Sequence, residues 1–175
     1  MFERYQLVLN SKQFEDIKRS FTQGRAAHAY IIEGPAGAGK RTLARLAAAL
    51  VVCQEKRACL TCSSCRRALE GVHPDIHDYS SNKRISVKDM RELIEKSALK
   101  PYEADYGVYI VENAHTATAE AQNCLLKTLE EPAGDSIFML LALNAGQLLP
   151  TVRSRCRLVR MTGFSDKMIF NQLSQ

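Results

Sequence analysis

The chain has 175 residues, of which 46% are hydrophobic and 25% are charged, and this size and composition predict one domain with a real core. No apolar run approaches the roughly 20 residues that cross a bilayer, and the N-terminal stretch MFERYQLVLNSK lacks the apolar core of a signal peptide. We therefore expect a cytoplasmic protein with no membrane partner. A net charge of +5 is too small to indicate nucleic-acid binding by itself.

The first elements along the chain are a helix, a strand and a second helix, with a glycine-rich loop before the second helix. Amphipathic spacing predicts a helix over 11–21, and the β-branched pair Ile31-Ile32 lies in an apolar strand over 29–33. After the loop, the Ala- and Leu-rich segment 42–52 favours a helix. A strand, a glycine-rich turn and a helix in this order are typical of a phosphate-binding loop.

The loop fills most of the phosphate-binding motif. Gly34, Gly37 and Gly39 allow backbone N–H groups to approach phosphate oxygens, because side chains at these positions would block the approach. Lys40 would reach the terminal phosphates, and the positive end of the following helix would add to the attraction. The alternative interpretation is a glycine-rich turn that has the motif by chance.

Arg41 stands where the motif requires a serine or threonine. The hydroxyl at that position coordinates Mg²⁺ in a functioning loop, whereas an arginine brings positive charge to the same place. Thr42 follows, but on a helix it points about 100° away and is a poor substitute. Arg41 is compatible with phosphate binding and predicts the loss of metal-assisted hydrolysis, so ATP with Mg²⁺ is a doubtful cofactor.

Four cysteines lie within thirteen residues, at Cys53, Cys59, Cys62 and Cys65. A reducing cytoplasm disfavours structural disulfides, whereas four thiolates can surround one tetrahedral Zn²⁺. Basic neighbours can offset the excess negative charge of such a site: Lys56, Arg57, Arg66 and Arg67. We predict a structural zinc module over about 53–71. Redox chemistry at one C-x-x-C pair and free thiols are the alternatives, and a catalytic zinc would need a coordination position that four cysteines do not leave open.

The rest of the chain alternates helices with apolar strands. Helices are predicted at 66–71, from Ser86 to before Pro101, and from Thr116 or Thr118 to Glu131; strands are predicted at 76–79, 107–111, 137–143 and 157–161. Ser86 and Asp89 have the spacing of an N-terminal cap. Five strands that alternate with helices predict an α/β fold, with a parallel sheet between helices.

The residues after two of these strands also depart from those of a hydrolase. An acidic pair would be expected after the strand VYIV, but Glu112 is followed by Asn113, which can orient a water and cannot take its proton. After the strand IFMLLAL, only Asn144 offers a polar group toward a terminal phosphate. The four histidines are scattered, and none is assigned to a metal.

Several motifs together resemble the clamp-loader subunits of bacterial DNA polymerase III, which are AAA+ proteins. They are HAYIIEGPAGAGKRTLA at 28–44, the four-cysteine insert, HPD at 73–75, VYIVENAH at 108–115, CLLKTLEEP at 124–132 and TVRSRCR at 151–157. The resemblance implies a P-loop AAA+ (RecA-like) fold, in which helices flank a five-stranded parallel sheet. It also implies an AAA+ domain over 1–163 and the start of a truncated helical lid domain over 164–175, so that the chain would be an N-terminal fragment.

Two subunit types of this family share the layout. The gamma/tau type is the motor and keeps the complete nucleotide site, whereas the delta-prime type is typically degenerate there. Arg41, Glu112 and Asn113 indicate the delta-prime type. The resemblance then implies a stator in a hetero-pentamer with gamma/tau and delta subunits, which acts on the sliding clamp and, through the complex, on primer–template DNA.

The resemblance also implies a role for Arg155. In the family, the arginine of the SRC motif projects into the nucleotide site of the adjacent subunit, where a guanidinium stabilises the transferred phosphoryl group. The alternative is that RSRCRLVR, with four arginines in eight residues, is a solvated basic edge.

Two main functions follow from these patterns, and a third, which is compatible with the first, is a zinc-dependent interaction module in which the cysteine segment contacts a partner. The first is a clamp-loader subunit that does not hydrolyse ATP alone and supplies Arg155 to a neighbour. The alternative is an active ATPase of the gamma/tau motor type, which would use Lys40 and Glu112 with an unusual metal shell.

Overall fold

The core of the protein is one five-stranded parallel sheet. The computed structural model describes residues 5–80, 84–132 and 134–164. The strands are β1 (Ala29–Glu33), β2 (Ile76–Tyr79), β3 (Gly107–Val111), β4 (Ser136–Ala142) and β5 (Arg157–Arg160). Their spatial order is β2-β3-β4-β1-β5, and every neighbouring pair is parallel. The predicted five-stranded α/β architecture is therefore confirmed.

Seven α-helices and two short 3₁₀ turns connect the strands within the described residues. The helices are α1 (Gln6–Leu9), α2 (Lys12–Thr22), α3 (Lys40–Val52), α4 (Ser63–Glu70), α5 (Val87–Ser97), α6 (Ala119–Glu130) and α7 (Pro150–Arg153), and the turns are Ala114–Thr116 and Ala145–Gln147. None of these helices is long and apolar enough to cross a membrane.

Side-chain caps fix where three of the helices begin. The hydroxyl oxygens of Ser11 and Thr118 accept hydrogen bonds from backbone N–H groups in the first turns of α2 and α6. Ser86 and Asp89 form a reciprocal capping box at the start of α5, as their spacing predicted. Thr118 rather than Thr116 is the cap of α6, because Thr116 lies inside the preceding 3₁₀ turn.

Several predicted boundaries are wrong by one to three residues. Helix α3 begins at Lys40 rather than Thr42, and α4 begins at Ser63 rather than Arg66, because the cap of α4 is the sulfur of Cys62. Strand β4 starts and ends one residue early, and β5 ends at Arg160 rather than Met161. Helices α1 and α7 were not predicted, since each is a single turn of four residues without a periodic apolar pattern.

Alternate residues of the central strands face two separate cores. Ile32 and Leu141 pack on one face against α2, α3 and α4, and this core also contains Cys53 and Cys65. Ile31 and Leu140 pack on the other face with residues of α5 and α6. The cysteine module is therefore continuous with the first core. The lid predicted over 164–175 lies, apart from Phe164, outside the described residues.

Candidate functional site

The phosphate-binding loop lies at the carboxyl end of β1, the strand between β4 and the edge strand β5. A cleft of ≈ 380 Å³ opens beside it. Its walls include five of the residues predicted for a nucleotide site: Gly37, Gly39, Lys40, Thr42 and Glu112. Ligands of open α/β sheets bind at this edge, outside the carboxyl ends of the strands.

The backbone of the loop has the form that an anion site needs. Gly37 and Gly39 have φ angles of 78° and 81°, and α3 begins directly after them. Gly34 lies deeper, and its N–H donates to the carbonyl of Ala142 at 3.2 Å. A Cβ atom at Gly34 would lie 2.6 Å from the Met161 carbonyl oxygen, so only glycine fits there.

Lys40 is folded back onto the loop. Its ammonium nitrogen donates to the carbonyl oxygens of Gly34 at 2.6 Å and Pro35 at 2.7 Å. No carboxylate within the described residues pairs with it, and burial lowers its pKa. The charge of Lys40 is therefore held by backbone dipoles that a phosphate group could replace.

Arg41 occupies the position of the missing hydroxyl with a pair of carboxylates around it. Its Nε lies 2.7 Å from Oε1 of Glu112, and its NH2 lies 3.1 Å from Oδ2 of Asp78. Arg45, one turn further along α3, also reaches Oδ2 of Asp78 at 3.1 Å. Burial raises the pKa of Glu112, and Arg41 opposes that rise.

Mg²⁺ does not fit these residues. A magnesium ion needs oxygen ligands in near-octahedral geometry, but Oε1 of Glu112 and Oδ2 of Asp78 are already engaged by guanidinium groups. A divalent cation here would also lie close to two arginines.

Three side chains of this site were not predicted. Asp78 and Arg45 belong to the charge network, and Nδ1 of His115 accepts a hydrogen bond from the N–H of Leu143, with 3.5 Å between the two nitrogens. Burial and the ammonium of Lys40 lower the pKa of His115. An acidic residue at the carboxyl end of β2 was the available signal for Asp78, but the strand order was needed to place it beside Arg41.

Asn113, predicted to stand in place of a base, and Asn144, predicted toward the terminal phosphate, have different surroundings. Asn113 follows Glu112, lines the cleft and has a left-handed backbone with φ of 52°. Asn144 uses its side-chain oxygen to accept the N–H of Gly146 at 2.7 Å, which caps a 3₁₀ turn. The side-chain amide oxygen of Asn144 is therefore already used by a local hydrogen bond.

Arg155 follows α7, and its guanidinium is bound within the chain. It donates to the carbonyl oxygen of Thr151 at 2.8 Å and forms an ion pair with Glu130, near the end of α6. About a third of its side chain is exposed. The arginine is therefore oriented by its own chain while part of its surface faces outward.

The four cysteines of the predicted module meet at one point. Their sulfur atoms all lie within 4.8 Å of one another, and a Zn–S bond of about 2.3 Å requires sulfurs roughly 3.8 Å apart in a tetrahedron. The N–H groups of Cys59, Cys62 and Cys65 each donate to the sulfur of the preceding cysteine, at 3.4–3.5 Å. The four sulfurs could therefore hold one metal ion.

Local hydrogen bonds also favour ionised cysteines. The Thr61 hydroxyl and the Cys62 N–H lower the pKa of Cys59 to about 6. Burial opposes the ionisation of Cys53, but backbone N–H donors outweigh it and its pKa falls. Burial raises the pKa of Cys65. Because metals bind the thiolate, the lowered pKa values of Cys53 and Cys59 would favour the binding of a metal ion, and a cation would be needed to ionise Cys65.

The HPD segment links this module to a neighbouring loop. The buried Asp75 carboxylate accepts the N–H groups of Tyr102, Glu103 and Ala104 at 2.5–2.9 Å. His73 Nε2 lies 2.9 Å from Glu103 Oε1, and Glu103 also pairs with Arg67 of α4. Although His73, Asp75 and Glu103 are clustered, Asp75 is fully engaged by backbone donors, so the cluster is structural.

Comparison with known families and proteins gives a consistent match. The family described as "DNA polymerase III, delta subunit" matches residues 9–165. The DNA polymerase III subunit delta' of Pseudomonas aeruginosa is 39% identical over 141 residues, 76% of this chain and 43% of that protein. The delta' subunit of Bacillus subtilis is 35% identical over 88% of this chain and 48% of its own.

Motor-type subunits and solved structures are also similar. The DNA polymerase III subunit gamma of Buchnera aphidicola is 31% identical over 90% of this chain and 44% of its own. The chain thus spans less than half the length of these three relatives.

A gamma subunit-related protein of Thermotoga maritima superposes with a TM-score of 0.65 at 20% identity, covering 90% of this chain and 48% of its own. The RuvB branch migration motor of that organism gives 0.62 at 19%, covering 97% of this chain and 49% of its own. These two likenesses identify the fold as P-loop AAA+.

Proposed function

Because this chain belongs to the family described as DNA polymerase III, delta subunit, we propose that it is a delta-prime-type clamp-loader subunit that does not hydrolyse ATP by itself. In this role it serves as the stator of a hetero-pentamer with gamma/tau and delta subunits. The complex opens the sliding clamp and places it on primer–template DNA in the cytoplasm.

One observation carries the proposal. Arg41 is paired with Glu112 and Asp78 where a metal-dependent site would hold Mg²⁺. Hydrolysis of a nucleoside triphosphate depends on a cation that bridges the phosphates and on a group that positions the attacking water. Because the carboxylates that would bind the metal are engaged and Asn113 stands in place of a base, the chain keeps the phosphate-binding loop but lacks the groups that hydrolysis needs.

Nucleotide turnover by the purified protein tests this proposal. We expect no phosphate release from ATP in Mg²⁺ buffer above that of a Lys40→Ala variant, with a gamma/tau subunit as the positive control. The alternative is the motor-type ATPase, which the similarity to gamma and tau subunits favours. Steady turnover that disappears in the Lys40→Ala variant would establish that alternative.

Arg155 is proposed to complete the nucleotide site of the adjacent motor subunit. Its orientation by Glu130 and Thr151 supports this role, because an ordered guanidinium loses less entropy when it meets a phosphate. An arginine supplied to a neighbour in this way accelerates phosphoryl transfer by about 10³-fold or more. The alternative remains a solvated basic edge.

The assembled complex separates these two interpretations. In a reconstituted clamp loader, we expect Arg155→Ala to remove the turnover of the one site that it faces while assembly is unchanged. Arg153→Ala, at an exposed arginine two residues earlier and at the end of α7, is the matched control. If Arg155→Ala kept the same turnover as Arg153→Ala and the unaltered complex, the basic-edge interpretation would be favoured.

Structural zinc is proposed for Cys53, Cys59, Cys62 and Cys65. The convergence of four sulfurs and the N–H···S bonds support this assignment. The ion would fix the segment between α3 and α4, and no coordination position would remain for catalysis. Elemental analysis of the purified protein should give one zinc per chain, and Cys59→Ser should lower that content; a zinc-free protein with the same fold would overturn the assignment.

A further inference from the structure

The side chains around the loop make an anion site that already contains its own counter-cation. Arg41 and Arg45 face the carboxylates of Glu112 and Asp78, so these four groups are balanced. Lys40 adds one positive charge that no acid within the described residues neutralises. The cluster therefore carries a net positive charge without any metal ion.

The space beside this cluster suits a phosphate chain. A Cβ atom at Gly37 would meet no atom within 4 Å, so the loop is open toward the cleft at that residue. The cleft of ≈ 380 Å³ lies in the range of small-molecule sites. Its walls supply the loop N–H groups, the start of α3 and the Lys40 ammonium, all of which favour negative charge.

Mg²⁺ would have to displace a guanidinium to enter. The 2.7 Å contact between Arg41 and Glu112 would be lost, and the freed arginine would repel the ion. An incoming phosphate has the opposite effect, because it can take the ammonium of Lys40 from two neutral carbonyl groups and leave the arginine pairs intact. The charge distribution thus distinguishes a bare polyphosphate from its magnesium complex.

We propose that this site binds the diphosphate moiety of a polyphosphate ligand without a divalent cation, because the Lys40 ammonium is available to the phosphates whereas Arg41 occupies the carboxylates that Mg²⁺ would need. The inference deepens the proposed function, since it names the ligand class of the same degenerate site. A nucleotide and inorganic pyrophosphate share this chemistry, and the experiment below distinguishes them.

Calorimetric titration of the purified protein tests the proposal. ATP, ADP and inorganic pyrophosphate are titrated separately, once in EDTA and once in excess MgCl₂. We expect binding in EDTA that Mg²⁺ does not tighten, and we expect Lys40→Ala to weaken it by about tenfold or more, because it removes a charged hydrogen-bond donor. Similar affinities for the three ligands would identify the phosphate chain as the recognised group, whereas tighter ATP and ADP would add the nucleoside.

Arg41→Thr introduces the hydroxyl of a metal-dependent loop and frees the Glu112 carboxylate, while Asp78 keeps its pair with Arg45. We expect this variant to bind ATP more weakly in EDTA and to gain an affinity in MgCl₂ that is about tenfold higher than in EDTA. Arg19→Thr removes an arginine from an exposed ion pair with Asp16 and should behave as the unaltered protein. Thermal melts establish whether the variants are folded. If Arg41→Thr is not folded, the titrations of the unaltered protein and of Lys40→Ala still test the proposal.

Two results would overturn the inference. One is the absence of binding in EDTA by the unaltered protein, and the other is an affinity that Mg²⁺ raises tenfold or more. Phosphate release measured in the same samples tests the proposed function separately. A protein that neither hydrolyses ATP nor binds polyphosphate in EDTA would contradict only the inference, whereas magnesium-dependent turnover would contradict both.

Discussion

At the scale of single residues, Asp75 illustrates how a buried carboxylate can fasten a loop. Burial opposes its ionisation, but three backbone N–H donors outweigh burial and hold the pKa of Asp75 below its usual range. A depressed pKa in the folded state stabilises the fold above the unfolded value of about 3.9, and this contribution is lost as the pH falls through the folded value.

Asp75→Asn should lower the free energy of unfolding at pH 7 by about 2 kcal/mol, because an amide cannot accept all three charged hydrogen bonds. The difference from the unaltered protein should shrink as the pH falls below about 4, where the native carboxylate loses its advantage. Urea denaturation at pH 7 and about pH 3 measures both effects. Asp105→Asn, which removes an exposed partner of Lys56, should change stability by less than about 0.5 kcal/mol.

Gly34→Ala should destabilise the protein by about 1–3 kcal/mol, because its Cβ would press against the backbone carbonyl of Met161 and force the loop or β5 to move. Gly163→Ala is the matched control, since a Cβ there would meet no atom within 4 Å. Urea denaturation of the two variants compares them directly. Equal stabilities would contradict the close approach between the loop and Met161.

At the scale of elements, the sequence predicts whether a segment is a helix or a strand better than it predicts where that segment begins and ends. The strands of buried residues and the capping box of Ser86 and Asp89 are local patterns, and the structure confirms them. The start of α4 is missed because its cap is a cysteine sulfur, for which serine-type cap rules give no signal. The single-turn helices α1 and α7 are too short to produce a periodic pattern.

Ser86→Ala should cost about 1 kcal/mol of stability, since it removes the side-chain acceptor that begins α5. Ser80→Ala, at an exposed serine outside any helix, should stay within about 0.5 kcal/mol of the unaltered protein. Equilibrium denaturation at neutral pH compares the pair. A Ser86→Ala protein as stable as the control would show that tertiary packing alone defines the start of α5.

At the scale of the whole molecule, the candidate site depends on which strands are neighbours. Gly37, Gly39, Lys40 and Glu112 follow from motif spacing, because each is defined by its distance from a strand end. Asp78 and Arg45 could not be predicted, since their contact joins the end of β2 to the second turn of α3. The cysteine module is likewise coupled to the fold, through the core around Cys53 and Cys65 and through the Arg67–Glu103 pair.

Removal of zinc from the proposed site should lower the Tm of the whole domain by about 10 °C. Zinc at about 1,000 times its Kd contributes about 4 kcal/mol, and each kcal/mol shifts a domain of this size by about 2–4 °C. Calorimetry with and without a chelator measures the shift. Cys124→Ser lies outside the cluster and should keep the full response, whereas Cys59→Ser should lose it.

The three glycines of the phosphate-binding loop differ in what surrounds them. Gly34 and Gly39 abut other parts of the chain, at Met161 and at Val8 and Phe164, so the loop is walled on its inner side. Among these three glycines, only Gly37 has open space where a Cβ atom would lie. A side chain at position 37 would therefore extend into the cleft without meeting another atom, and asparagine is the residue that would add little strain to the left-handed backbone there.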